Sequence, residues 1–132
     1  MGDLGRVLRM KDDCDRLQWK IEELQSQAEQ ATKAFSLAPG RGGDHRADDI
    51  YALLIEQKDR YVNKFYELMQ AGWELEEELD RYIDNGKVRL AMKYHFVDGL
   101  QADKIAKELH CSIRTVRRWL QRGKDIYDKA SR

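Results

Sequence analysis

Ile105-Ala-Lys-Glu-Leu-His-Cys-Ser-Ile-Arg-Thr-Val-Arg-Arg-Trp-Leu120 is the stretch that decides the fold. Its apolar positions, Ile105, Ala106, Leu109, Ile113, Val116 and Leu120, fall at helical spacing on either side of a short break at His110-Cys111. Two short helices joined by a turn of three or four residues cross at a steep angle, and a small residue such as Ala106 lets the second pass close to the first. Ser112 is a good N-cap for the second helix, because its hydroxyl can accept from the free backbone N–H groups of the first turn. The pattern predicts a helix-turn-helix.

Just upstream, Val88, Leu90, Ala91, Tyr94 and Phe96 give a preceding helix its apolar side, and Val97-Asp98-Gly99 reads as a turn with Gly99 free to take positive φ. The expected unit is therefore three short helices over about 87–96, 101–109 and 112–127. On the last of them Arg114, Thr115, Arg118, Gln121 and Arg122 lie opposite the apolar positions, with Arg117 to one side and Lys124 a turn further on. Arg reads guanine O6 and N7 with two hydrogen bonds, Gln can read adenine, and Thr contacts a thymine methyl or a phosphate. Such a helix fits the major groove of duplex DNA.

At these residues the chain resembles a known family. Tyr94-His-Phe-Val-Asp-Gly-Leu100, Lys104-Ile-Ala-Lys-Glu-Leu109 and Ser112-Ile-Arg-Thr-Val-Arg-Arg-Trp119 look like region 4 of sigma-70-type factors. His110 departs from the glycine common at its place. The wider layout is similar to small phage and prophage late-gene regulators of the ArpU and RinA kind. The resemblance implies promoter or operator binding through Arg114, Thr115, Arg117, Arg118 and Arg122.

Charge separates this end from the rest. Residues 85–132 carry 12 Lys/Arg and 5 Asp/Glu, a net of +7; residues 1–84 carry 12 and 19, a net of −7. A basic end on an acidic scaffold suits a polyanion partner. With 42% hydrophobic and 36% charged residues, the chain fits long helices that each bury one stripe better than a large core.

In the acidic part Val7, Met10, Cys14, Leu17, Ile21, Leu24, Ala28, Ala31 and Phe35 alternate steps of three and four, an uninterrupted heptad. The glycine- and proline-rich stretch 36–46 ends that helix. A second helix runs from about Ala47 to Ile83 on a stripe including Ile50, Leu54, Tyr61, Phe65, Leu68, Leu75, Leu79 and Tyr82, with Asp44 as N-cap. Asp84-Asn-Gly86 stops it. Two such helices fold into an antiparallel hairpin, or the first pairs with its copy in a second subunit; both hold at once in a four-helix dimer. The expected architecture is thus all-α: a hairpin over 1–84, then a helix-turn-helix domain over 85–132. Oligomerisation is expected through Val7, Met10, Cys14, Leu17, Ile21 and Leu24, with a homodimer as the state.

Other signals are weaker. Asp12, Asp13 and Asp15 lie on a helix without converging ligands, and His110-Cys111 lacks two further ligands at zinc spacing, so no metal or cofactor is expected. Trp19 and Trp73 are expected to pack in the hairpin, and Trp119 to flank the recognition helix. Glu74-Leu-Glu-Glu-Glu78 is a solvated face, or a docking surface for a basic partner such as RNA polymerase. No leader, membrane span or disulfide framework is visible, which makes the cytoplasm of a bacterial host the expected compartment. No catalytic constellation or small-molecule site stands out, so an enzyme is not expected. Double-stranded DNA is the expected partner and transcriptional regulation the expected role. A small terminase-like packaging protein and a module acting on a host protein are the alternatives; a dimer favours the regulator, a ring of eight or more the packaging protein.

Overall fold

The computed structural model describes residues 2–37 and 46–132, with the side chains of 35–37 and 46 excepted. Five helices make up the fold, α1 (Arg6–Leu37), α2 (Arg46–Tyr82), α3 (Gly86–Phe96), α4 (Ala102–Glu108) and α5 (Ile113–Ala130), and no strand occurs among the described residues. The all-α reading holds. The expected loop, its Asp44 cap and the Phe35 side chain lie outside the described residues. Among the described residues no helix is long and apolar enough to cross a membrane.

The chain forms two compact units, Lys11–Glu67 on one hand and Met1–Met10 with Leu68–Arg132 on the other. The expected boundary at residue 84 falls inside the second of them.

In the Lys11–Glu67 unit, Leu17 and Ile21 of α1 are buried with Leu54 of α2, and Leu24 and Tyr61 close over them. The helices run antiparallel: the Thr32 and Tyr51 hydroxyls are 3.0 Å apart near one end, and Cys14 lies within the field of Lys64 and Glu67 near the other. Cys14 is buried, which pushes its thiol pKa up. The heptad of α1 is therefore covered by the chain itself: Val7, Cys14, Leu17 and Ile21 are buried, Met10 and Leu24 partly so.

The second unit has the larger core. Leu75, Leu79 and Ile83 of α2 pack with Val88, Ala91 and Met92 of α3, Ile105 and Ala106 of α4, and Val116, Leu120 and Tyr127 of α5, and Val7 joins them. Polar ties reinforce it. The buried Tyr127 hydroxyl donates to Glu78 Oε2 at 2.8 Å, and burial together with that carboxylate pushes the phenol well above its usual range. Lys93 Nζ lies 2.7 Å and Arg89 Nε 3.5 Å from Asp80 Oδ1, which binds α3 to the last turns of α2.

Three expectations need correction. Asn85 does not stop α2; it caps α3, its Oδ1 accepting from the backbone N–H of Lys87 at 3.0 Å and Val88 at 3.2 Å, and Gly86 is the first helical residue. Trp19 and Trp73 do not pack inside the hairpin, each being 61% exposed. Leu90 and Ile113 belong to no core either: Leu90 stands on the side of α3 opposite Val88, Ala91, Met92 and Phe96, and Ile113 just outside the buried arc of α5.

Candidate nucleic-acid interface

The interface is built from the turn outward. α4 ends at Leu109, and the next residue, His110, takes φ 54°. Cys111 N–H donates to Ala106 O at 3.0 Å and His110 N–H to Lys107 O at 3.4 Å. This pair of bonds is the Schellman stop, whose left-handed position normally holds glycine. His110 therefore occupies the glycine place without altering the turn. Ser112 then caps α5, its Oγ accepting from Thr115 N–H at 3.1 Å, with the Thr115 hydroxyl 2.9 Å away.

α5 has a sharply two-sided surface. Val116, Leu120, Gly123 and Tyr127 are buried. At about 100° per residue, Arg114, Arg118 and Gln121 project from the opposite side, Arg122 stands toward one edge of that face, and Arg117 stands at the other. All five are exposed. Among the described residues Arg114, Arg117, Arg118 and Arg122 make no ion pair. Four cations on adjacent turns without a carboxylate partner repel one another, and a polyanion relieves that repulsion.

The other expected residues are placed differently. Gln121 Nε2 already donates to Asp125 Oδ1 at 3.2 Å. Thr115 is half-buried and its hydroxyl is engaged with Ser112. Lys124 is half-buried, with Nζ 5.8 Å from the centre of the Phe96 ring, because its position falls on the edge of the buried arc. Trp119 is half-buried against the core, and Lys87 Nζ lies 6.0 Å from its ring centre. Lys104 and Lys107 of α4 are exposed near the same turn, and the first helix of a helix-turn-helix is the one that crosses the phosphate backbone. Sequence reading passed over both; the signal was their place at the polar positions of α4.

Aspartates 12, 13 and 15 are all exposed, and among the described residues no group of three or more His, Cys, Asp or Glu side chains comes together in a way that could hold a metal ion.

This frame can be compared with known proteins. Residues 86–125 match the sigma-70, region 4 family. The match runs from the first residue of α3 to Asp125 on α5, and so takes in the turn and every arginine of the exposed face. The region 4 family is a DNA-binding helix-turn-helix, and the match places α4 and α5 at the two helices of that motif. No curated protein and no solved structure matches the chain.

Proposed function

We propose that the protein is a phage-type transcriptional regulator that binds promoter or operator duplex DNA through α5. One observation carries the reading: Arg114, Arg117, Arg118 and Arg122 stand exposed, and without an ion pair among the described residues, on the outer side of a capped recognition helix. In this geometry the N-terminal turns of α5 enter the major groove. Arg114 and Arg118 reach base edges, while Arg117, Lys104 and Lys107 meet phosphates on either side. Arg122 extends the contact along the groove. Thr115 fixes the N-terminus of α5 together with Ser112, and Lys124 acts on the phosphate field from the flank rather than through a base.

The division of charge supports a regulator over a complete sigma factor. Residues 1–84 carry a net charge of −7, which repels a melted strand rather than drawing it in. A partner that melts the promoter, RNA polymerase, then works beside this protein, and the exposed Glu74 and Glu77 suit a basic surface on it. The test is to sequence genomic fragments retained by the purified protein at physiological salt. Enrichment of one motif upstream of genes supports regulation. Retention without a motif, or a ring of eight or more subunits, points instead to packaging and overturns it.

A further inference from the structure

We propose that the groove between α1 and α2 in the Lys11–Glu67 unit binds a nucleoside oligophosphate, its phosphates held by Arg16, Lys20, Arg60 and Lys64 and its base resting on Trp19. The four cations line one stretch of that groove, of about 230 Å³, together with Leu17 and Gln57. Among the described residues lining it, Asp13 alone carries a carboxylate. Arg16 and Lys20 are about one turn apart on α1, and Arg60 and Lys64 about one turn apart on α2. Like charges at that spacing disfavour their own helix. Paired helices ordinarily set opposite charges along their flanks, whereas here both supply the same sign. Among the described residues Arg16, Lys20 and Lys64 form no ion pair, and Arg60 reaches Glu56 only at 3.9 Å, with both side chains more than half exposed. An anion seated between the four relieves the repulsion that the fold leaves standing.

Charge and the shape of the groove name the ligand. Residues 1–84 carry a net charge of −7, so a long polyanion laid along the hairpin runs past acidic surface and is repelled. An oligophosphate instead gathers its charge within reach of the four cations, and ions screen charges beyond about 8 Å. The guanidinium forks of Arg16 and Arg60 suit phosphate, which accepts two parallel hydrogen bonds from each. The next stretch of the same groove shares Lys20, Gln57 and Arg60 with the first and adds Trp19, Leu24 and Leu53. Trp19 is 61% exposed and belongs to neither core. Bases stack on aromatic faces of this kind whatever their sequence. The amides of Gln27 and Gln57 and the carboxylate of Glu23 line this stretch as well, and offer donors and acceptors to a base edge or a sugar hydroxyl. The groove therefore sets a cationic seat for phosphates beside an aromatic one for a base, which a bare phosphate fills only in part.

Equilibrium dialysis of the full chain against ATP, GTP and inorganic tripolyphosphate, in magnesium-free buffer without DNA, tests this. The better-bound nucleotide should exceed tripolyphosphate by about tenfold, the contribution of one stacked base. Arg16→Gln with Arg60→Gln should weaken nucleotide and tripolyphosphate alike by about 100-fold, about tenfold for each charged hydrogen-bonding group. Trp19→Ala should remove the advantage of the nucleotide and leave tripolyphosphate unchanged. Helicity should hold in every variant, because Arg16, Trp19 and Arg60 are all exposed. A chain that takes up none of the three, or a nucleotide affinity that survives Arg16→Gln with Arg60→Gln, overturns the site. So does binding lost instead on Arg114→Gln with Arg118→Gln, which assigns the anion to α5. Equal binding of nucleotide and tripolyphosphate, with Trp19→Ala silent, overturns the seat for the base.

Discussion

Gly123 sits in the middle of α5, on its buried side, and a methyl group there sets two effects against each other. Alanine in a helix interior is favoured over glycine by about 1 kcal/mol. Against this, a Cβ at position 123 would lie 2.5 Å from both Cγ and Sδ of Met92 and 3.2 Å from its Cε. Met92 is fully buried, so its chain has no open space to swing into, and overpacking of this kind costs about 1–3 kcal/mol. The packing term wins: Gly123→Ala should lower stability by about 1 kcal/mol, and Gly123→Val by about 3 kcal/mol, because the valine adds two further carbons. Urea denaturation followed by circular dichroism measures both. A double-mutant cycle with Met92→Ala isolates the contact. Met92→Ala alone leaves a cavity and costs about 2–5 kcal/mol, yet with alanine at 123 the added methyl partly fills it, so the double variant should be more stable than the sum predicts by about 1 kcal/mol or more. If Gly123→Ala raises stability by the full helix-propensity gain, Met92 steps aside freely and the close packing of α3 on α5 argued above is wrong.

Arg118→Ala should cost about 1–3 kcal/mol in specific DNA binding while thermal melting stays put; a shift in melting would show the side chain to be structural. Log affinity should fall with log salt at a slope of about −3 to −4 per subunit, a modest value because Lys93 is bound to Asp80 and does not join the phosphate contacts; a flat titration rules out a phosphate-dominated complex. The Lys93 contact holds Asp80 below the ordinary carboxylate pKa of 3.8, so its stabilising effect is complete above about pH 5 and is lost as pH falls through the lowered value; acid titrations of Asp80→Asn should show a shallower loss over that window. A fragment starting at Leu68 should melt cooperatively, whereas one starting at Asn85, which lacks Leu75, Leu79 and Ile83, should not; equal melts would make the α2 contribution to this core dispensable.

The elements that could be read from sequence are those where one physical signal acts alone. The unbroken heptad of α1, the Ser112 cap and the apolar spacing from Ile105 to Leu120 each gave a correct helix, because spacing and capping are local. Periodicity also put Arg114, Arg117, Arg118, Gln121 and Arg122 on the outside. It could not say that Gln121 would be held by Asp125, which needs only the next turn, or that Lys124 would lie over Phe96, which needs the position of α3. Asn85 was misread because the same residue suits a helix stop and a helix start, and only the direction of its side-chain bond distinguishes them. The two tryptophans stand outside because neither falls on the arc of its helix that meets its neighbour, and an apolar side chain does not by itself say where that arc lies. Tyr127 and Glu78, 49 residues apart, left no local trace at all.

The core of the second unit joins Val7 to Tyr127, and that has a consequence for the order of events on the ribosome. The Lys11–Glu67 segment forms a compact unit of its own and can fold as soon as it clears the exit tunnel. α5 cannot settle at that time, because its core runs from Val7 through to Tyr127, which has yet to be made. Closing so long a loop carries an entropic cost that only late contacts repay. During synthesis the acidic helices are therefore in place before the arginine face is assembled, and a nascent chain stays silent toward nucleic acid until α5 has been translated in full.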